Sequence, residues 1–158
     1  MKNAPYSRFA PLPSRRMLPM YRNIACAFDG SDGSRRALDV ALHLARADKR
    51  KLWMIFVEEL PRYTGAPSET NQERECADAF FDKLRREALD AGKKYGVEVT
   101  AEKRVGHPSQ ALVRYVKEAG VDLLVMGHTG HSKLWGTVVG TTADKVVSHA
   151  TCSVHVVR

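Results

Sequence analysis

Along this chain, short runs of consecutive apolar residues alternate with longer stretches in which apolar residues recur every three or four positions. Ile24 to Phe28 reads as a buried first strand that ends at Asp29-Gly30-Ser31. A helix follows from about Gly33 to Asp48, its face carried by Ala37, Val40, Ala41, Leu44 and Ala45 with Leu38 and Leu42 flanking. Leu52 to Val57 is apolar on successive residues, as a strand covered on both faces requires. Glu58 to Thr70, with Pro61, Gly65 and Pro67, reads as a surface loop, and a second helix extends from about Gln72 to Tyr95. Ala77, Phe80, Phe81, Leu84, Ala88 and Ala91 line that helix on one side. Val97, Val99 and Ala101 alternate with polar residues, which places the third strand at or near a sheet edge. Pro108 suits the first turn of a helix because its missing N–H would have no partner there; Ala111, Leu112, Tyr115, Val116 and Ala119 continue that helix. Val121 to Met126 forms the fourth strand, a helix spans about Gly140 to His149, and Ser153 to Val157 forms the fifth strand. Strands separated by helices of this length predict βαβ units, hence an α/β fold with a parallel sheet.

The candidate chemistry lies where the fourth strand ends. Gly127-His128-Thr129-Gly130 follows it, and Gly140-Thr141 opens the next helix. Strand, glycine-rich loop and hydroxyl-bearing helix start is one way to cradle phosphate, because the first N–H groups of a helix lack internal partners and its dipole favours anions. Gly127 lets a ligand approach the backbone without a Cβ in the way, and Lys133 adds a cation within the loop. Asp29 closes the first strand; if the first and fourth strands are neighbours, Asp29 and Gly127 face one crevice. There an acidic side chain can accept from ribose hydroxyls or help hold Mg2+. The same glycines also serve as turns and caps, so on residue types alone a purely structural reading stands beside the phosphate one. Neither a Walker pattern nor Gly-x-Gly-x-x-Gly after the first strand is present, which argues against P-loop and dinucleotide sites.

Composition narrows the setting. The 158 residues fit one domain, and apolar runs of about six residues are far too short to span a bilayer. Three dispersed cysteines do not suggest a disulfide framework, which favours a reducing, cytoplasmic compartment. The net charge of +7 is concentrated: residues 1–20 hold Lys2, Arg8, Arg15 and Arg16, no acids, and four of the seven prolines. This segment reads as a disordered basic arm, either a solvated extension or a contact to RNA or anionic lipid by charge alone.

Four blocks together resemble the universal stress protein family over residues 21–158. They are Ile24-Ala25-Cys26-Ala27-Phe28-Asp29-Gly30-Ser31, Gly106-His107-Pro108, Asp122-Leu123-Leu124-Val125-Met126-Gly127, and His149-Ala150-Thr151-Cys152-Ser153-Val154. Gly127, Gly130, Gly140 and Thr141 also meet the spacing of the family's nucleotide-binding branch: glycine, two residues, glycine, nine residues, then glycine with serine or threonine. The resemblance implies an open five-stranded parallel sheet in order 3-2-1-4-5 with helices on both faces, Rossmann-like, and a homodimer formed through the last strands. It further implies ATP, with Mg2+, bound across the first and fourth strands by a stress-response or signalling modulator with weak or no hydrolysis. By that likeness Asp29 contacts the ribose, the Val57 backbone meets adenine, Gly127 lies near the ribose, and Gly130, Gly140 and Thr141 take the phosphates. His128 and Thr129 stand where the family often has serine and arginine, and Met54, Ile55 and Phe56 make a bulky second strand that would narrow the adenine side. These departures keep open a nucleotide-independent dimeric interaction module; a slow ATPase is the other alternative, although no water-positioning base is identifiable.

Several further motifs carry less. His128 with His131, and His149 with Cys152, have metal-compatible spacing but no additional ligands nearby in sequence. His149 fits better as a favourable charge at a helix C-terminus. Cys26 and Cys152 read as small core residues, and Cys76 lies near a helix start where a thiolate would be favoured. Trp135, between the glycine clusters, reads as a loop, ligand or partner contact. Asp29 to Ser34 shares residue types with the pyrophosphate loop of adenylate-forming enzymes, in the wrong order.

Overall fold

The computed structural model of the protein describes residues 20–59, 67–128 and 141–158. The apolar runs become five parallel strands: β1 (Ile24–Ala27), β2 (Leu52–Glu58), β3 (Val99–Val105), β4 (Leu123–Gly127) and β5 (Ser153–Val157). Between them lie α1 (Asp32–Ala47), α2 (Pro67–Tyr95), α3 (Pro108–Glu118) and α4 (Thr141–His149). The strand order is β3-β2-β1-β4-β5, as the family resemblance implied. β1 sits at the centre, its Ile24 level with Leu52 on one side and Leu123 on the other.

Alternate residues of each strand feed two cores. Ile24, Cys26, Leu52, Met54, Phe56, Leu123 and Val125 meet α1 and α2 on one face. Ala25, Ile55, Leu124 and Met126 meet Leu112, Tyr115 and Val116 of α3 and Ala143 and Val146 of α4 on the other. A right-handed crossover explains the segregation: the chain moves outward from β1 to β3 through α1 and α2, then returns across β1 to β4 and β5 through α3 and α4. Met54, Ile55 and Phe56 are all buried in these cores, so their bulk is taken up by helix packing and does not narrow a crevice at the strand ends.

Three local readings change. The buried stripe of α1 is Ala37, Leu38, Ala41, Leu42 and Ala45; Leu38 and Leu42 are central to it, while Val40 and Leu44 are half-exposed. Second, α2 begins at Pro67, within the stretch read as loop. Third, Cys76 therefore lies about three turns into α2, exposed and beyond the reach of the N-terminal dipole. β3 is an edge strand, as its alternation indicated. Lys103 on β3 places its Nζ 2.8 Å from Glu58 and 2.5 Å from Asp78, joining β3, β2 and α2.

At the amino end of the sheet, Asp122 accepts from the Arg22 and Asn23 amides at 2.8 and 3.0 Å. The Asn23 carbonyl in return accepts from the Asp122 amide at 3.0 Å, and its side-chain amide donates to the Gly120 carbonyl at 2.9 Å. This clasp fixes the entry of β1 against the entry of β4.

Candidate functional site

At the carboxyl end of the sheet, β1 diverges from β2 after Phe28, whose amide donates to the Ile55 carbonyl at 2.9 Å. The chain then turns through Gly30 (φ +78°) into α1. Asp29 is fixed here: its Oδ1 accepts from the Ser31 amide at 3.0 Å and from the Ser31 hydroxyl at 2.6 Å. Ser31 is also the N-cap of α1, its Oγ accepting from the Ser34 amide at 3.2 Å. One hydroxyl thus ties the carboxylate of Asp29 to the first turn of the helix, where a side-chain oxygen satisfies an amide that has no helical partner. Asp29 and Asp32 make this corner acidic, and Arg35 balances it. The Arg35 guanidinium grips Glu87 of α2 at 2.6 and 3.2 Å, and that pairing holds it above its ordinary pKa.

Gly127 ends β4 on the other side of the same corner. A Cβ built on it would lie 2.6 Å from the carbonyl carbon of Gly33 and 2.9 Å from both the Gly33 oxygen and the Ser34 nitrogen. These are backbone atoms of the first turn of α1, so helix and strand meet without an intervening side chain. The absence of a side chain at Gly127 therefore has a packing cause independent of any ligand. The two glycine-bearing corners, after β1 and after β4, lie against one another as neighbouring strands require.

Val57 supplies the third wall. Backbone groups of alternate strand residues turn to opposite neighbours. Ile55 faces β1, since its carbonyl accepts from Phe28, and Glu58 faces β3, since its carbonyl accepts from Gly106 at 2.9 Å. By this alternation Val57 directs its N–H and C=O toward the β1 side, level with the point at which β1 has turned away. Asp29, Val57 and Gly127 thus frame the carboxyl ends of the three central strands, at the place where the strand order reverses. Thr141 is the first residue of α4, as its position after the glycine pair indicated. Gly130, Gly140, His131, Lys133 and Trp135 lie outside the described residues.

His128 follows Gly127 and extends the ladder, its amide donating to the Val157 carbonyl at 2.8 Å. Its Nε2 is buried with no hydrogen-bond partner among the described residues. No group of three or more acidic, histidine or cysteine side chains suited to a metal occurs among the described residues. His149 directs Nδ1 to the Lys145 carbonyl at 2.8 Å, so it closes the last turn of α4. Cys26 is fully buried, and burial together with Asp29 pushes its thiol far up. Cys152 is half-exposed, and its thiol is also raised, chiefly by burial.

The family model for the universal stress proteins matches residues 20–158, the whole chain except the basic arm. The chain belongs to the universal stress protein family. Among its relatives, the universal stress protein YxiE of Bacillus subtilis is 33% identical over 150 residues, spanning 88% of this chain and 100% of the relative. The universal stress protein MJ0531 of Methanocaldococcus jannaschii is 30% identical over 146 residues, spanning 88% and 83%. A solved universal stress protein, UspA from Lactobacillus plantarum, superposes with a TM-score of 0.75 at 27% identity, covering 87% of this chain and 98% of its own. A second, solved in complex with cAMP, gives a TM-score of 0.67 at 27% identity, covering 87% and 97%. Two features of the site escaped the sequence reading. The Ser31 clasp on Asp29 carries no recognisable capping-box signature, and the contact between Gly127 and Gly33 joins residues 94 positions apart.

Proposed function

We propose that this universal stress protein binds an adenine nucleotide, ATP with Mg2+, in the corner framed by Asp29, Val57 and Gly127, and acts as a stress-response or signalling modulator in the cytoplasm. One observation carries the reading. The central strands β1 and β4 are neighbours, so Asp29 and Gly127, at which the Gly127-x-x-Gly130-x9-Gly140-Thr141 spacing begins, follow the carboxyl ends of adjacent strands at the switch point, where open α/β sheets take their ligands. Val57 offers adenine a donor and an acceptor on a strand edge that β1 leaves uncovered. Asp29, held by Ser31, presents a carboxylate to the ribose hydroxyls or to the metal ion. By the family likeness Gly130, Gly140 and Thr141 take the phosphates, Gly140 and Thr141 through amides at the start of α4. The cAMP-bound relative supports an adenine nucleotide as the ligand class.

Weak or absent hydrolysis accompanies this reading, because in-line attack needs a group that positions water. Asp29 is engaged by Ser31, and Asp32 at the same corner lies 3.8 Å from Arg35, so neither carboxylate stands as a dedicated water-positioning group. The nucleotide would act through shape, altering the loop and a homodimer surface. β5 forms the outer sheet edge, with Ser153 and His155 exposed and Val154 and Val156 half-buried, and Val147 of α4 is exposed close in sequence to that strand. A second copy pairing there would cover an edge that otherwise templates aggregation.

Calorimetry on nucleotide-free protein tests the proposal. Micromolar binding of ATP that weakens in Asp29→Ala is expected. No affinity below millimolar concentration eliminates the reading and leaves a nucleotide-independent dimeric module.

A further inference from the structure

A groove of about 350 Å³ lies between α3 and the outer face of β2 and β3, running from Asn23 and Val121 at the amino end of the sheet to Arg104, which is level with Val57. Asn23, Trp53, Glu102, Arg104, Tyr115 and Glu118 line it. Its charges are unevenly matched. Arg104 reaches Glu102 at 2.6 Å and lies 5.0 Å above the centre of the Tyr115 ring, so that carboxylate is neutralised inside the cavity. Glu118 forms no ion pair among the described residues. It is the last residue of α3, where the helix dipole is negative and a carboxylate is disfavoured. The half-buried Trp53 offers an indole wall beside it. An exposed, unbalanced acid at a helix C-terminus, on the rim of a groove that also holds an indole, suits a guanidinium.

This chain carries a source of guanidinium close to that opening. Residues 1–19 hold Arg8, Arg15, Arg16 and Lys2 with no acid, and the family match starts only at residue 20. The described chain enters at the exposed Met20, three residues before Asn23 of the cavity wall. Seven residues separate Arg16 from Asn23, a reach of at most about 25 Å, ample for the chain to fold back. We propose that the basic arm docks on its own domain, inserting an arginine of the Arg15-Arg16 pair between Trp53 and Glu118. The arm is then an intramolecular strap at the amino end of the sheet, and its positive charge is partly withdrawn from other polyanions. The proposal is independent of nucleotide binding.

The test uses the full chain with Trp135→Phe, which leaves Trp53 as the sole tryptophan. Acrylamide quenching of Trp53 is expected to increase when Arg15 and Arg16 are both changed to alanine. Glu118→Gln should produce the same increase, and the combined variant should add nothing further. A synthetic peptide of residues 1–19 should bind the arginine-free protein and protect Trp53, with affinity about two- to fivefold lower when Glu118→Gln is also present. Unchanged quenching in both variants, or fully additive effects, overturns the proposal. Dependence on protein concentration overturns the intramolecular form by showing that a second copy supplies the arm. If ethylguanidinium binds the parent and the arginine-free protein equally well, the cavity is an open small-cation site and the arm is not its occupant.

Discussion

Replacing Gly127 with alanine separates two explanations of the same glycine. If the residue exists only to admit a ligand, the variant folds as stably as the parent and loses nucleotide affinity alone. The geometry says otherwise. The new Cβ would meet three backbone atoms of Gly33 and Ser34 at 2.6 to 2.9 Å, against about 3.5–4.0 Å for a comfortable contact. No flexible side-chain end is available to yield, so the first turn of α1 must move away from β4. Overpacking of this kind costs about 1–3 kcal/mol, and rigid backbone on both sides puts it toward the upper end. For a chain of this size, about 2–3 kcal/mol lowers Tm by roughly 5–10 °C. The assay is thermal unfolding followed by circular dichroism on nucleotide-free protein. Gly120→Ala is the contrast: Gly120 has φ +61° but nothing within 4 Å of a built Cβ, so its penalty is conformational, about 1 kcal/mol or somewhat more. A Tm for Gly127→Ala within about 1 °C of the parent would refute the packing argument.

Four other outcomes follow from the same structure. Ser31→Ala should cost about 1 kcal/mol in urea unfolding through the lost N-cap, and should weaken ATP binding by freeing Asp29; unchanged affinity would detach Ser31 from the site. Arg35→Ala and Glu87→Gln should each cost about 0.5–1 kcal/mol and be non-additive in a double-mutant cycle, with the coupling fading at high salt because both side chains are partly exposed. Burial and Glu102 raise the Tyr115 phenol to about 12, so the folded state holds its proton longer than the unfolded chain does. Stability should therefore fall as pH rises from about 10 to 12, by roughly 1–3 kcal/mol for this group, and Tyr115→Phe should flatten that part of the curve. Under native conditions a thiol reagent should label Cys76 quickly, Cys152 slowly and Cys26 only on unfolding; early loss of the Cys26 thiol would contradict its burial.

The fold was readable because strands buried on both faces leave uninterrupted apolar runs, and because a helix that covers a sheet must repeat at three and four. The edge position of β3 came from the opposite signal, apolar residues alternating with polar ones, and the strand order from the family resemblance. Pro67 was misread through emphasis: beside Pro61 and Gly65 it looks like loop punctuation, although the argument that placed Pro108 at a helix start applies to it equally. The α1 stripe slipped by part of a turn because Leu38 and Leu42 fit a neighbouring register almost as well as Val40 and Leu44. The candidate site residues rest on loop spacing and on the family resemblance, yet neither can show why Gly127 is glycine, since Gly33 approaches it only through the packing of α1 on β4. The groove beside α3 left no trace in the sequence at all. Asn23, Trp53, Arg104 and Glu118 belong to four separate segments, and no local pattern announces their meeting.

The central position of β1 also has a consequence during synthesis. Its second neighbour, β4, and the Asp122 carboxylate that clasps Asn23 are made about a hundred residues after β1 itself. Until they emerge, a nascent β1-β2-β3 unit exposes the whole free margin of β1 and the uncovered face bearing Ala25 and Ile55. Such an intermediate invites strand-to-strand association with its neighbours on a polysome. Crowded translation of this chain should therefore lean on chaperones that shield the interval between residue 105 and residue 127, and a ribosome stalled within it should yield aggregates more readily than one stalled near the terminus.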